Sequence, residues 1–348
     1  MTRTISRRRL LFLGVATLVA LLGVWLAYLF YWPNSFQGGA ERVFFVSRGE
    51  TFASIVDSLE AQGVIRSRGL FLIAARLQGG ATHMLVGKYR FDSGVSNAEI
   101  LHVLTSGKGN LVTPVTLPEG STARLQARIL KRAVGIDSAR YMHLVNDDSL
   151  VRYFGFASPS LEGYLFPDTY NFYWEEDEVE VVKRLVERFD RFYSDTLQER
   201  ARGMGRTTNQ IITLASIVEG EARLDQERGV IAGVYYNRLR RGMPLKADPT
   251  IQHFISGGPR RVLYSDLQVD NPYNTYKYRG LPPGPVNNPG RASILAALYP
   301  VQNDYLYFVA NGKGGHGFSR TFEEHKRLTW RFKRDRARSR TGNSQEGR

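Results

Sequence analysis

The stretch Thr208–Arg223, TNQIITLASIVEGEAR, decides how this chain is read. Thr208 can cap a helix, and Ile211, Ile212, Leu214, Ala215 and Val218 leave that helix almost no polar face. A helix apolar on nearly all sides is a buried one, so its domain folds around it. It ends in Glu219, Gly220 and Glu221. A carboxyl at the tip of a buried helix is costly to ionise unless paired, and desolvation raises its pKa toward that of a general acid. Glu219 and Glu221 lie about 200° apart around the helix axis, so they face different ways and do not share a proton. Glu219, following Ile217 and Val218, is the expected acid. Glu221 is expected to orient a neighbour or to pair with an arginine. A solvated helix end with Glu219 paired to Arg223 explains the same residues without chemistry. Gly220 costs roughly 1 kcal/mol against alanine in a helix, which points to close approach of a ligand or another segment.

Around that helix, acids and aromatics gather in Pro/Gly-rich loops. SLEGYLFPDTY at 160–170 supplies Glu162, Tyr164, Asp168 and Tyr170; ADPT at 247–250 supplies Asp248; NPYNTY at 271–276 supplies Tyr273, Asn274 and Tyr276. Tyrosine faces can stack on sugar rings, and asparagines can donate to acetamido or hydroxyl groups. Tyrosine-rich loops are as often packing, and asparagine in such loops is more often a turn residue. Glu162, Asp168, Glu221 and Asp248 are the acids able to assist Glu219. His316 lies in GKGGHG at 312–317, which lacks the strand-to-helix setting of a nucleotide loop. The six histidines show no metal-ligand spacing, so no metal is expected.

The N-terminal part has a different solvent. Leu10–Trp32 is 23 residues without a charge. As a helix it reaches about 34 Å, enough to cross a hydrocarbon core of about 30 Å. Arg3, Arg7, Arg8 and Arg9 precede it and no Lys or Arg follows until Arg42. The positive-inside rule then places residues 1–9 in the cytoplasm and the rest outside. A cleaved signal peptide would have a shorter apolar run and a small-residue site.

The chain has 348 residues, 43% of them hydrophobic, and no cysteine, which excludes a disulfide scaffold and a thiolate site. Its net charge of +14 resides mostly at the ends: +4 in residues 1–9 and +7 in residues 326–348. That distribution suits a membrane flank and a solvated tail, not a nucleic-acid face.

Residues 33–42 read as a linker, 43–110 as a small domain, 111–330 as a larger α+β domain, and 331–348 as a basic, disordered tail. In the small domain Val43–Val46 is a strand, and Thr51 caps a helix bearing Phe52, Ile55, Val56 and Leu59. A second helix carries Leu70, Phe71, Ala74 and Leu77 and stops at Gly79–Gly80; Ser96 and Glu99 form a capping box, with Gly107 as the stop. Val46–Ile55, VSRGETFASI, resembles a LysM module, which implies binding to N-acetylglucosamine-containing glycans.

From residue 43 to 330 the chain resembles the endolytic murein transglycosylases, the YceG-like family. The resemblance rests on LASIVEGE (214–221), ADPT, NPYNTY, GLPPGP (280–285), NPG (288–290), YLYFVA (305–310), His316-x-Phe318-Ser319 and SLEGYLFPDTY. Gly220 and His253 depart mildly from the family pattern. The resemblance implies a membrane-anchored lytic transglycosylase that needs no cofactor and works on peptidoglycan glycan strands beside peptidoglycan synthases. It implies that Glu219 protonates the oxygen between N-acetylmuramic acid and N-acetylglucosamine. The resulting carboxylate then takes the proton of the muramic acid 6-hydroxyl as that oxygen attacks the anomeric carbon. A 1,6-anhydro end forms and no water is consumed. A hydrolytic muramidase on the same scaffold and a non-catalytic glycan-binding anchor are the competing readings.

Overall fold

A computed structural model describes residues 7–36, 39–79, 83–255, 260–312 and 314–343, with side chains described as far as Arg334 in the last helix. Arg3 and the rest of residues 1–6, Gly80, Lys313 of the GKGGHG loop and tail residues 344–348 lie outside the described residues. The architecture is mixed helix and sheet. Its four sheets among these residues are all two-stranded, so helices carry most of the core. The chain divides into two compact units, residues 1–114 with 171–176, and 115–170 with 177–348.

The first unit begins with α1 (Arg7–Tyr31), the one helix among the described residues long and apolar enough to cross a membrane. Then come β1 (Pro33–Asn34), β2 (Glu41–Val46), α2 (Phe52–Ala61), α3 (Arg68–Leu77), β3 (Gly87–Asp92), β4 (Val95–Ser96) and α4 (Asn97–Ser106). β2 and β3 pair antiparallel from Glu41↔Asp92 to Val46↔Gly87. Thr51 caps α2 as its position before an apolar stripe predicts, and Ser96 with Glu99 closes a capping box on α4. Gly107 ends α4 at φ +70°, a conformation glycine adopts without strain. The end of α1 joins this unit's core: Leu29 is buried among Phe44, Ile55 and Leu101, and its carbonyl accepts from Asn97 Nδ2 at 2.9 Å.

Strands β5 (Thr113–Thr116) and β6 (Thr169–Phe172) lie at the unit boundaries in sequence, and the second unit contains α5 (Ala123–Val134), α6 (Ser138–Val145), α7 (Asp148–Tyr153), α8 (Glu178–Phe192), α9 (Asp195–Gly203) and α10 (Thr208–Glu221). There follow α11 (Asp225–Arg240), α12 (Asp248–Phe254), α13 (Arg291–Leu298), the β7–β8 hairpin (Tyr307–Ala310, His316–Ser319) and α14 (Phe322–Asn343). α10 is the axis of the unit, packed against α11, α12 and α13, with every residue from Ile211 to Val218 buried. The cap is Thr207, one residue before the expected Thr208, in a capping box with Gln210. α8 buries Val182, Leu185, Val186 and Phe189 along the stripe that their spacing predicts. The basic tail expected to be disordered from residue 331 instead continues α14 to Asn343.

Ile217 is fully buried at the centre of this helical core. Ile217→Ala is expected to destabilise the second unit by about 2–5 kcal/mol, read as a shift in its urea unfolding midpoint at unchanged slope.

Candidate active site

Three distant loops meet at the C-terminal end of α10, and Asn288 holds them there. Its side chain is fully buried: Oδ1 accepts the N–H groups of Gly163 (2.8 Å) and Leu165 (3.1 Å), while Nδ2 donates to the Ser121 carbonyl and to Glu162 Oε1, both at 2.9 Å. Its backbone adds a reciprocal pair, from Gly120 N–H to the Asn288 carbonyl (2.8 Å) and from Asn288 N–H to the Ser121 carbonyl (3.1 Å). Ser216 of α10 fixes the preceding residues, accepting Val286 N–H at 3.0 Å on its hydroxyl and Asn287 Nδ2 at 2.9 Å on its carbonyl. Gly163 has to be glycine: it has φ +93°, and a β-carbon there would lie 2.4 Å from Pro285.

Within this frame the Glu219 side chain is 7% exposed. Oε1 stands 3.1 Å from an Arg228 guanidinium nitrogen, and Oε2 accepts Gly290 N–H at 3.0 Å. Arg228, at the start of α11, also binds Asp225 at 3.0 Å and donates to Ser293 Oγ of α13. The partner of Glu219 is therefore Arg228, not the Arg223 that helical spacing allows. The pairing that the competing reading gave to Arg223 is made by a buried cation of the next helix.

A second carboxyl sits beside it that no sequence signal had marked. A β-carbon on Gly290 would lie 2.0 Å from the Glu119 carboxyl carbon, and one on Gly120 would lie 3.3 Å from Glu219 Cγ. Glu119 thus rests on the glycine whose N–H holds Glu219, and it remains exposed. Desolvation and then the charge of Glu219 push the Glu119 carboxyl upward, with Arg228 opposing.

The carboxyls that burial drives furthest are Glu162 and Glu221, each pushed up to about 7. Glu221 accepts Tyr235 O–H at 3.1 Å, and after burial the charge of Asp248 raises it most. Asp248 in turn accepts Tyr276 O–H at 2.5 Å. Gly220 allows this assembly, since a β-carbon there would lie 2.5 Å from Pro249 of α12. The close approach expected at Gly220 comes from a protein segment.

Other expected substrate contacts are structural. Glu162 is buried and takes Ala123 N–H, at the start of α5, at 3.0 Å. Tyr164 is 1% exposed and stacks on Phe156, and Tyr170 is 7% exposed with its hydroxyl on the Phe166 carbonyl. Asn274 is fully buried as a turn residue, donating to the Leu267 and Val269 carbonyls and accepting Tyr276 N–H. These four cannot present a face to a sugar while so packed. Asp168 is partly exposed and ion-paired with Arg188 at 2.6 Å, and Tyr273 lies against His253 with ring centres 4.5 Å apart. His316 hooks the β7–β8 hairpin to α11, with its N–H and Nδ1 on Glu227 at 2.8 and 2.7 Å. Glu219 does not line the surface concavities at Arg200–Tyr236–Asn303 and at Asp270–Tyr278–Pro283; its site is the junction of loops just described.

Residues 44–331 match the model of the YceG-like family. A relative from Bacillus subtilis (strain 168), named endolytic murein transglycosylase, is 31% identical over 301 residues, covering 82% of this chain and 83% of that protein. A relative of the same name from Streptococcus pneumoniae R6 is 26% identical, and the matched region covers 81% of this chain but only 56% of that longer protein. The crystal structure of a YceG-like protein from Listeria monocytogenes superposes with a TM-score of 0.58 at 30% identity, covering 83% of this chain and 99% of that one.

Two outcomes follow from this geometry. Gly220→Ala is expected to push α12 away from α10 and lower activity at least several-fold, with Asp248→Asn serving to separate loss of the Asp248 carboxylate from displacement of the helix. Glu162 has its pKa raised from 4.5 to about 7, so the native state binds the extra proton. Its contribution to stability is complete below pH about 4.5 and is lost as pH rises through about 7. Melting temperature measured from pH 4.5 to 8 should fall less steeply in Glu162→Gln, whose amide oxygen can keep the bonds to Ala123 and Asn288.

Proposed function

The chain belongs to the YceG-like family, and from that membership we propose its detailed function: a lytic transglycosylase that cuts peptidoglycan strands endolytically at the N-acetylmuramic acid–N-acetylglucosamine bond. The observation that carries the reading is the Glu219 carboxyl, nearly dry and aimed by Arg228 and the Gly290 N–H at the junction of the family's motifs. The reaction needs two proton movements. The glycosidic oxygen must gain a proton as its bond to the anomeric carbon breaks, and the muramic acid 6-hydroxyl must lose one as its oxygen closes the 1,6-anhydro ring. A fixed carboxylate is equipped to take the second proton, and in the minimal cycle the same group gives it to the next glycosidic oxygen. Asp248, Tyr273 and Tyr276 are partly or fully open and stand along the neighbouring loops, where they can meet the strand.

α1 serves as a single-pass anchor, with Arg7, Arg8 and Arg9 on the cytoplasmic side and the second unit outside the membrane. The order β2–α2–α3–β3 with antiparallel strands supports a LysM-like glycan-binding role for the first unit. A catalytic unit tethered in this way would meet strands as they leave the membrane, which favours work beside peptidoglycan synthases.

Glu219→Gln should lower the release of anhydro-ended muropeptides from purified glycan strands at least about 100-fold, with the circular dichroism spectrum unchanged. Wild-type products heavier by one water would establish a muramidase instead. Undiminished release from the variant would remove Glu219 from the mechanism.

A further inference from the structure

The minimal cycle asks one carboxyl to do two jobs, and the surroundings of Glu219 suit it to only one of them. Both Glu219 oxygens are engaged, one ion-paired with a guanidinium and one accepting a backbone N–H, and the side chain is 93% covered. A carboxyl whose two oxygens face a cation and an N–H donor is held in the acceptor form, the form in which a base begins its step. Glu119 differs in exposure and position. It is exposed, and its carboxyl rests on Gly290, the residue that binds Glu219. Its turn is clamped by the paired backbone bonds of Gly120 and Ser121 to Asn288.

We propose that Glu119 is the second catalytic carboxyl of this site, the proton donor to the glycosidic oxygen, leaving Glu219 as the base. This rests on the transglycosylase reading above and refines it. In the first step the Glu119 carboxyl transfers its proton to the bridging oxygen, the bond from that oxygen to the anomeric carbon breaks, and the N-acetylglucosamine side leaves with a free 4-hydroxyl. In the second the muramic acid 6-oxygen bonds to the anomeric carbon and its proton passes to Glu219. Return of that proton from Glu219 to Glu119 through solvent resets the pair, so protons balance and no water enters the product. Desolvation, and after it the charge of Glu219, favour the protonated form of Glu119 that this role needs, against the opposing charge of Arg228.

The test separates donor from base by the leaving group. Full-length protein in detergent is assayed on natural glycan strands and on a glycan oligomer whose terminal N-acetylmuramic acid carries 4-nitrophenol, which departs without protonation. Glu119→Gln should be slowed at least about 100-fold on natural strands and stay within a few-fold of wild type on the aryl substrate. Gly290→Ala, whose β-carbon occupies the place of the Glu119 carboxyl, should be slowed on natural strands as well. Glu219→Gln should lose both activities. Equal slowing of Glu119→Gln on both substrates, or normal rates on natural strands, overturns the assignment of Glu119. Retention of both activities by Glu219→Gln instead overturns the function proposed above.

Discussion

The contact between Arg228 and Glu219 is the constraint on which the second unit's geometry turns. Two charges removed from water are tolerable only with close, well-directed partners. Here the carboxylate also has the Gly290 N–H, while the guanidinium has Asp225 and Ser293. Those partners come from the end of α10, the start of α11 and the start of α13, so the pair sets how three helices meet. Loss of either member would leave the other buried without its counter-charge, a cost of about 3–5 kcal/mol. The return is a carboxylate whose direction is fixed before substrate arrives, which reduces the reorganisation needed during reaction.

Asn288 does for the loops what Arg228 does for the helices. A fully buried amide offers two donors and an acceptor, and here they join the 162–165 loop to the turn at Ser121. An apolar residue there would strand the Gly163 and Leu165 N–H groups. The outcome is that Glu119, one hundred residues before Glu219 in sequence, is brought onto the same glycine.

Much of the fold was legible from local pattern. The buried α10, the amphipathic α8, the Thr51 cap and the Ser96–Glu99 box are short-range features, and the structure has them within a residue or so. Position in the candidate site was less legible. Tyr164 and Asn274 stand in loops rich in Pro and Gly and Tyr170 just after one, where a packed residue and a sugar contact have the same local signature. Glu162 looked like an available acid and instead caps α5. Glu119 sat in view in the turn LPEG with nothing around it to distinguish it from a surface glutamate.

What the amino-acid order determined unaided was the membrane-length apolar helix, the buried helix ending in acids, and the set of residue types able to move protons. These depend on periodicity and composition over a few turns. Which acid is paired, which stays open, and which two carboxyls share a neighbour were decided only by the packed chain. Charge pairing and desolvation depend on distance in space, and the groups responsible here, Arg228, Gly290 and Glu119, lie nine to one hundred residues from Glu219 along the chain.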